Sequence, residues 1–319
     1  MASGMVARSG RGPRGSWETV VARPHPRLRP GVIGYRGIRL ALDGPRSRLE
    51  TPIGAATLLL GFEGSVRIAR HGRPPTTLES VYSGLNTTAA VGEHGGRIFG
   101  IEILLTPWTG FTLFGTSQYE LTNRPVDPDR LPHPPGRGGR AGVAELAVAL
   151  AALPGWTDRF RLLDDVLARW TQAGPPSSAR VVRACSLLRR SGGAVPVTRL
   201  ADEVGWSVRQ LENRFREQIG LGPKAAARVL RLQRARRLLA SGRSAAETAA
   251  LCGFYDQAHL GGEFRAMTGC TPREFAAARR AVAAARSGLP GPDRMTGEAT
   301  SLVLSPNGSA HFSKTGRIA

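Results

Sequence analysis

The chain has 319 residues, 41% of them hydrophobic, which is enough for two globular domains with separate cores. Its 44 Lys plus Arg against 24 Asp plus Glu give a formal net charge of +20. That surplus points to a polyanionic partner, because each cation that neutralises a phosphate releases a counterion.

The first sixteen residues mix Gly, Arg, Ser and Pro without periodicity and read as a disordered basic arm. From Trp17 to about Leu131 the texture is that of short strands, at Val32 to Leu40, Ala56 to Gly61, Ser65 to Ala69 and Arg97 to Leu105. Pro107 to Gly115 has the composition of a short helix or turn, since Pro suits a first helical position. The stretch Pro132 to Arg140 reads as a connector to a helical pair. Ala141 to Leu153 is the first member. Thr157, as N-cap, opens the second and places Phe160, Leu163, Leu167 and Trp170 at helical spacing. Residues 17–172 thus form a β-rich domain whose helical pair docks on it or dimerises. Ala173 to Ser178, with two prolines, marks a boundary, and residues 286–319 read as a disordered tail. The expected fold class is α+β, with an all-α domain over residues 178–285.

Those residues write one pattern twice. The first copy runs Ala201, Val204, Gly205, Trp206, then Leu211, Phe215, Arg216, Gly220 and Pro223. The second runs Ala249, Cys252, Gly253, Phe254, then Leu260, Phe264, Arg265, Gly269 and Pro272. Each is a short helix, a turn of glycine and aromatic, and a second helix with Leu and Phe four apart on one face. This is a tandem helix-turn-helix. The predicted helices are Ala179 to Arg190, Val197 to Val204, Ser207 to Ile219, Pro223 to Leu239, Ala245 to Cys252, Asp256 to Thr268 and Pro272 to Arg280. Ser207 with Gln210 has the spacing of a capping box, and Asp256 caps the second recognition helix. Residues 180–286 hold 20 Lys plus Arg against 8 Asp plus Glu, so the charge surplus concentrates where the helices are.

The run Gly253, Phe254, Tyr255, Asp256, Gln257, Ala258, His259, Leu260, then Glu263, Phe264, Arg265 and Gly269, Thr271, Pro272 resembles the signature of the AraC/XylS family of bacterial transcriptional regulators. The resemblance covers about a hundred residues. It implies two helix-turn-helix modules joined by a helix, with recognition helices in successive major-groove turns on one face of double-stranded DNA. It places Arg209, Glu212 and Asn213 at base-reading positions of the first module, beside the exposed Gln210, and Gln257, Ala258, His259 and Gly262 at those of the second. Arginine can pair with guanine, asparagine or glutamine with adenine, and glutamate can accept from cytosine. Arg216 and Arg265 fit phosphate contacts or packing. The chain departs from the family pattern at Gly261 and Gly262, where a polar residue and then Arg are common. Each glycine costs about 1 kcal/mol of helix stability relative to alanine, so the first module is expected to dominate specificity. The N-terminal part is similar to sensor domains that precede this reader in actinobacterial-type regulators, through Glu120, Leu121, Thr122, Asn123 and then Arg159, Phe160, Leu163 and Leu167. It implies a small-molecule effector, a homodimer, or both, and an activator would also touch RNA polymerase.

Other classes are weaker on this sequence. Cys185, Cys252 and Cys270 lack a neighbouring Cys or His and an activating motif, against a cysteine-dependent DNA repair enzyme. They read as buried thiols of a cytoplasmic protein. There is no nucleophile elbow, phosphate loop or paired-carboxylate signature, and the scattered histidines offer no metal site, so no cofactor is expected. No apolar run reaches the roughly 18 residues that span a bilayer, and no signal peptide is visible. A non-specific DNA-coating protein needs only phosphate contacts, which leaves the varied polar faces of two recognition helices unexplained.

Overall fold

The structure, a computed structural model, describes residues 4–13, 15–132, 142–284 and 301–304. Its N-terminal part is built from antiparallel strands in two sheets. The larger has the order β1 (Val6–Gly12), β2 (Gly15–Ala22), β3 (Val32–Leu42), β10 (Arg97–Leu105), β5 (Ala56–Glu63), β8 (Val81–Ser83) and β11 (Pro125–Val126). The smaller has the order β12 (Ser301–Leu304), β4 (Arg46–Glu50), β9 (Ala90–His94), β6 (Val66–Arg70) and β7 (Arg73–Leu78).

The period-2 alternation of β10 shows how the layers are assigned. Ile101, Ile103 and Leu105 are fully buried on one face of the large sheet, whereas Ile98 and Glu102 turn into a cavity between the sheets. On the first face lie α1 (Pro107–Phe114), α2 (Val143–Ala152) and α3 (Trp156–Ala173). Val143, Leu146, Leu150, Phe160, Leu163 and Leu167 pack there with Tyr35, Leu58 and Leu60. Phe160 stacks on Tyr35 at 5.5 Å between ring centroids, and the Tyr35 hydroxyl donates to Asp164 at 2.9 Å. The helical pair therefore docks on the sheet. Buried Arg159 donates to the carbonyls of Leu150 and Leu153, supplying partners to the open C-terminal end of α2.

The C-terminal part consists of α4 (Ala179–Arg190), α5 (Val197–Val204), α6 (Val208–Ile219), α7 (Pro223–Ala240), α8 (Ala245–Cys252), α9 (Gln257–Thr268) and α10 (Pro272–Ala284). Its core contains Leu188, Leu200, Leu211, Phe215, Val229, Leu232, Leu260, Phe264 and Phe275, and it continues into Leu49, Leu85, Val91 and Trp108 of the N-terminal part. One apolar seam thus runs through both parts. At the turn of each helix-turn-helix a glycine takes the left-handed conformation, Gly205 with φ 64° and Gly253 with φ 70°, which an L side chain enters only at a cost.

Several expectations are corrected. The arm over residues 1–16 is not disordered where it is described: Val6–Gly12 pairs with β2 in full register, Gly10 opposite Trp17. An exposed edge strand draws its stability from backbone pairing and needs no apolar alternation, which hid it. A Cβ at Gly10 would also lie 2.7 Å from the Trp17 indole nitrogen, so this glycine admits the ring rather than marking a flexible arm. Thr157 is not the N-cap of α3, which starts one residue earlier behind Gly155. In the predicted tail, Ser301–Leu304 pairs with β4, while the remainder from 285 lies outside the described residues. The connector Pro132 to Arg140 also lies outside them, apart from its first residue.

Candidate nucleic-acid interface

Local chemistry sets the start of both recognition helices. At α6 the Ser207 hydroxyl accepts from the Gln210 N–H at 3.2 Å, and the Gln210 side-chain oxygen accepts from the Ser207 N–H at 3.0 Å. This is the reciprocal box the spacing predicts. It also occupies the side-chain oxygen of Gln210, which leaves its NH₂ group pointing to hydrogen-bond partners outside the box. At α9 the Asp256 carboxylate accepts from the His259 N–H at 2.7 Å. His259 Nδ1 accepts from the Tyr255 N–H at 3.2 Å.

Burial sorts the side chains of these helices. Leu211, Phe215, Gln218 and Ile219 of α6 and Leu260, Phe264, Met267 and Thr268 of α9 face inward. Arg209, Asn213 and Arg216 are exposed, with Glu212 half-buried on the same helix. Gln257, Ala258, His259, Gly262 and Arg265 are exposed on α9. A Cβ at Gly261 or Gly262 would meet nothing within 4 Å, so neither glycine is required by packing inside the molecule. Phe254 is buried as a core plug. Trp206 is half-buried beneath the Arg180 guanidinium, 5.5 Å from its ring.

Three features were missed from sequence. The Arg228 guanidinium of α7 grips Glu263 of α9 through two parallel hydrogen bonds, 2.7 and 3.0 Å, fixing the second recognition helix to the linker helix. Glu263 belongs to the signature run, but a partner 35 residues away leaves no local trace. Tyr255, at 92% exposed, stands beside the N-terminus of α9. An aromatic placed right after the core plug is the signal that marks it.

The third is the seam with the sheets. Gly54 N–H donates to Gln233 at 2.8 Å, and the fully buried Arg236 donates to the Pro52 carbonyl at 2.8 Å, both on α7. Ala89 N–H donates to the Met267 carbonyl at 2.8 Å near the end of α9, and the Thr122 hydroxyl donates to the Gly220 carbonyl at 2.6 Å at the end of α6. The linker helix and both recognition helices are therefore each held by a loop of the N-terminal part.

Two of those loops also wall the cavity between the sheets, a space of about 180 Å³ bounded partly by residues 50–55 and 83–90. Its walls are apolar except for Arg36, Arg48, Arg70, Glu50, Glu102 and His94 with a few hydroxyl and amide groups. Arg36 pairs with Glu102 at 2.9 Å, and Arg70 donates to the Thr88 carbonyl at 2.8 Å. Burial, and then the charges of Arg48 and Arg46, lower the His94 imidazole to about 4, so it is neutral at pH 7. Among the described residues no group of His, Cys, Asp and Glu is arranged to hold a metal ion, and no helix is long and apolar enough to cross a membrane.

Two exposed recognition helices on a basic all-α unit define a DNA-binding protein of the tandem helix-turn-helix class. A family model described as a helix-turn-helix domain matches residues 200–278. A transcriptional regulator of Chromobacterium violaceum with an AraC-type DNA-binding domain is 32% identical over 34% of this chain and 95% of its own, with a TM-score of 0.31. The DNA-binding domain of AdpA, a global transcriptional factor seen in complex with a target DNA, is 30% identical over 33% of this chain and 96% of its own, TM-score 0.31. The chain belongs to the AraC family of transcriptional regulators, an assignment carried by the family match and the identity across a complete domain. ToxT of Vibrio cholerae aligns over 73% of this chain and 95% of its own at 10% identity with a TM-score of 0.42. No curated protein matches the chain.

Proposed function

We propose that this DNA-binding regulator reads a specific sequence by placing α6 and α9 in successive major-groove turns, with α6 supplying most of the discrimination. The observation that supports this most directly is the asymmetry of the two reading faces: exposed Arg209 and Asn213 with half-buried Glu212 on α6 against exposed Gln257, Ala258, His259 and Gly262 on α9. Arg216 and Arg265, in the last turns, are assigned to phosphates, and Tyr255 to the backbone beside α9. The reader is residues 178–285 and the sensor residues 17–172 together with β1, in a one-component cytoplasmic factor. An effector with an apolar body and a polar head is assigned to the cavity between the sheets, where the arginines would meet the head. Effector binding would shift DNA affinity by its different affinity for seam arrangements. Homodimerisation, and RNA polymerase contact in an activator, complete the proposed partners.

The cysteine-enzyme alternative fits poorly. Burial pushes the Cys185 thiol up to about 12 and Cys270 up to about 11, and it raises Cys252, whereas a nucleophilic thiol needs a lowered value and access.

Selection of duplexes from a random DNA pool by the full chain, at near-physiological salt, tests the reading. Two selected segments about one helical turn apart, roughly 10 bp, are expected, the one under α6 more sharply defined. Salt-dependent binding without any motif would instead establish non-specific coating. Gly262→Arg should sharpen the segment under α9.

A further inference from the structure

We propose that the cleft between the sheets and helices α4 and α7 is a second ligand site, separate from the cavity inside the β part, for a nucleotide-sized molecule bearing two or more phosphates. The cleft encloses about 730 Å³, within the range of about 300–1,000 Å³ common to small-molecule sites. Arg189 and Arg190 enter it from the last turn of α4, and Arg234 and Arg237 from one face of α7. No aspartate or glutamate lines it. Elsewhere in the helical part Arg183, Arg214, Arg228 and Arg243 each face a carboxylate within 4.0 Å, whereas Arg189, Arg190 and Arg234 have no such ion pair among the described residues. A concave wall of one charge sign concentrates anions, and the guanidinium fork matches phosphate oxygens.

The opposite wall explains why a nucleotide fits better than a bare anion. Ile33 of the β part and Leu230 of α7, both half-buried, line the cleft, with Ile53, Leu104 and Trp108 buried behind them as its apolar floor. Ser186, Ser191 and Gln233 stand at the margin, the Ser191 hydroxyl donating to the Leu188 carbonyl and the Gln233 side-chain oxygen accepting from Gly54. A molecule with a flat base and a charged tail uses both walls, while inorganic pyrophosphate uses one. The two walls come from the two parts of the chain, so the bound molecule would bridge the seam. The cleft shares Ile53 and Ala55 with the cavity between the sheets, but none of the four arginines lines that cavity, so the anion site does not rest on the effector reading.

The test is calorimetric titration of the full chain with ADP, GDP, inorganic pyrophosphate and succinate at matched ionic strength, with duplex binding measured on the same preparations. A nucleoside diphosphate should bind saturably and at least tenfold more tightly than pyrophosphate or succinate. Replacement of Arg190 and Arg234 together by serine should weaken it at least tenfold, with melting temperature and duplex affinity unchanged. Ile33→Ser should narrow the margin between ADP and pyrophosphate. Absence of saturable binding, or binding indifferent to the double replacement, overturns the site. Equal affinity for pyrophosphate and the nucleotides overturns the nucleotide assignment. Loss of duplex affinity in step with ligand affinity, together with displacement of ligand by duplex, makes these arginines DNA-backbone contacts instead and overturns the proposal, while leaving the DNA-reading function standing.

Discussion

The two helix-turn-helix modules share a plan and differ in what secures and equips them. In the first, α6 starts with a reciprocal Ser207–Gln210 box and carries Arg209 and Asn213 toward solvent, with Glu212 half-buried beside them. In the second, α9 starts with the Asp256 cap and with His259 Nδ1 accepting from the Tyr255 N–H, carries two glycines with open space around them, and is tied to α7 by Arg228 and Glu263. The difference teaches that a recognition helix needs a position as well as a reading surface. The second module keeps the position through an ion pair outside its own helix while giving up side chains at the surface.

The strongest way to break the comparison is to remove the core residue each module depends on. Leu211→Ala and Phe264→Ala should each lower stability by about 2–5 kcal/mol, measured by urea unfolding followed by circular dichroism. Since both side chains sit in one continuous core, a single shared transition is expected, and unaltered unfolding would refute the inward assignment. Next in size, Arg209→Ala should weaken binding to the selected duplex by about 1–3 kcal/mol and relax preference at one base pair, in a fluorescence titration. Gln257→Ala should change affinity far less, and equal losses would erase the proposed asymmetry. Gly262→Ala should raise stability by about 1 kcal/mol, because the site is exposed and helical and a methyl group there meets no neighbour. The smallest effect belongs to the Arg228–Glu263 pair. Its side chains are 41% and 25% exposed, so a double-mutant cycle with alanine should give a coupling of about 1 kcal/mol or less in stability. A larger loss in duplex affinity than in stability would show that the pair sets the pose of α9.

The helical part was legible in the sequence because its ends are written in single residues. Ser207, Asp256, Pro223, Gly205 and Gly253 mark starts and stops that do not depend on distant partners. Most of the β strands were not. β4 reads RSRLE, and its Arg48 and Glu50 are among the few charged residues lining the cavity between the sheets, so the inward face carries charge and the usual apolar alternation disappears. β7 has two prolines and lies at the edge of its sheet, the place where proline is tolerated. Among the site residues, chain position was enough for the exposed faces of α6 and α9. The Glu263 partner and the loops that hold the helix ends required the folded chain.

Residues 50–55 and 83–90 serve two structures at once, as walls of the cavity between the sheets and as the neighbours of α7 and α9. Thermodynamic reciprocity gives this sharing a consequence for the DNA itself. If a molecule seated in that cavity changes operator affinity by some factor, the operator changes the affinity of the cavity for that molecule by the same factor. A bound promoter then acts as an effector of the sensor, and the concentration at which the protein responds differs between chains on their operator and chains free in solution.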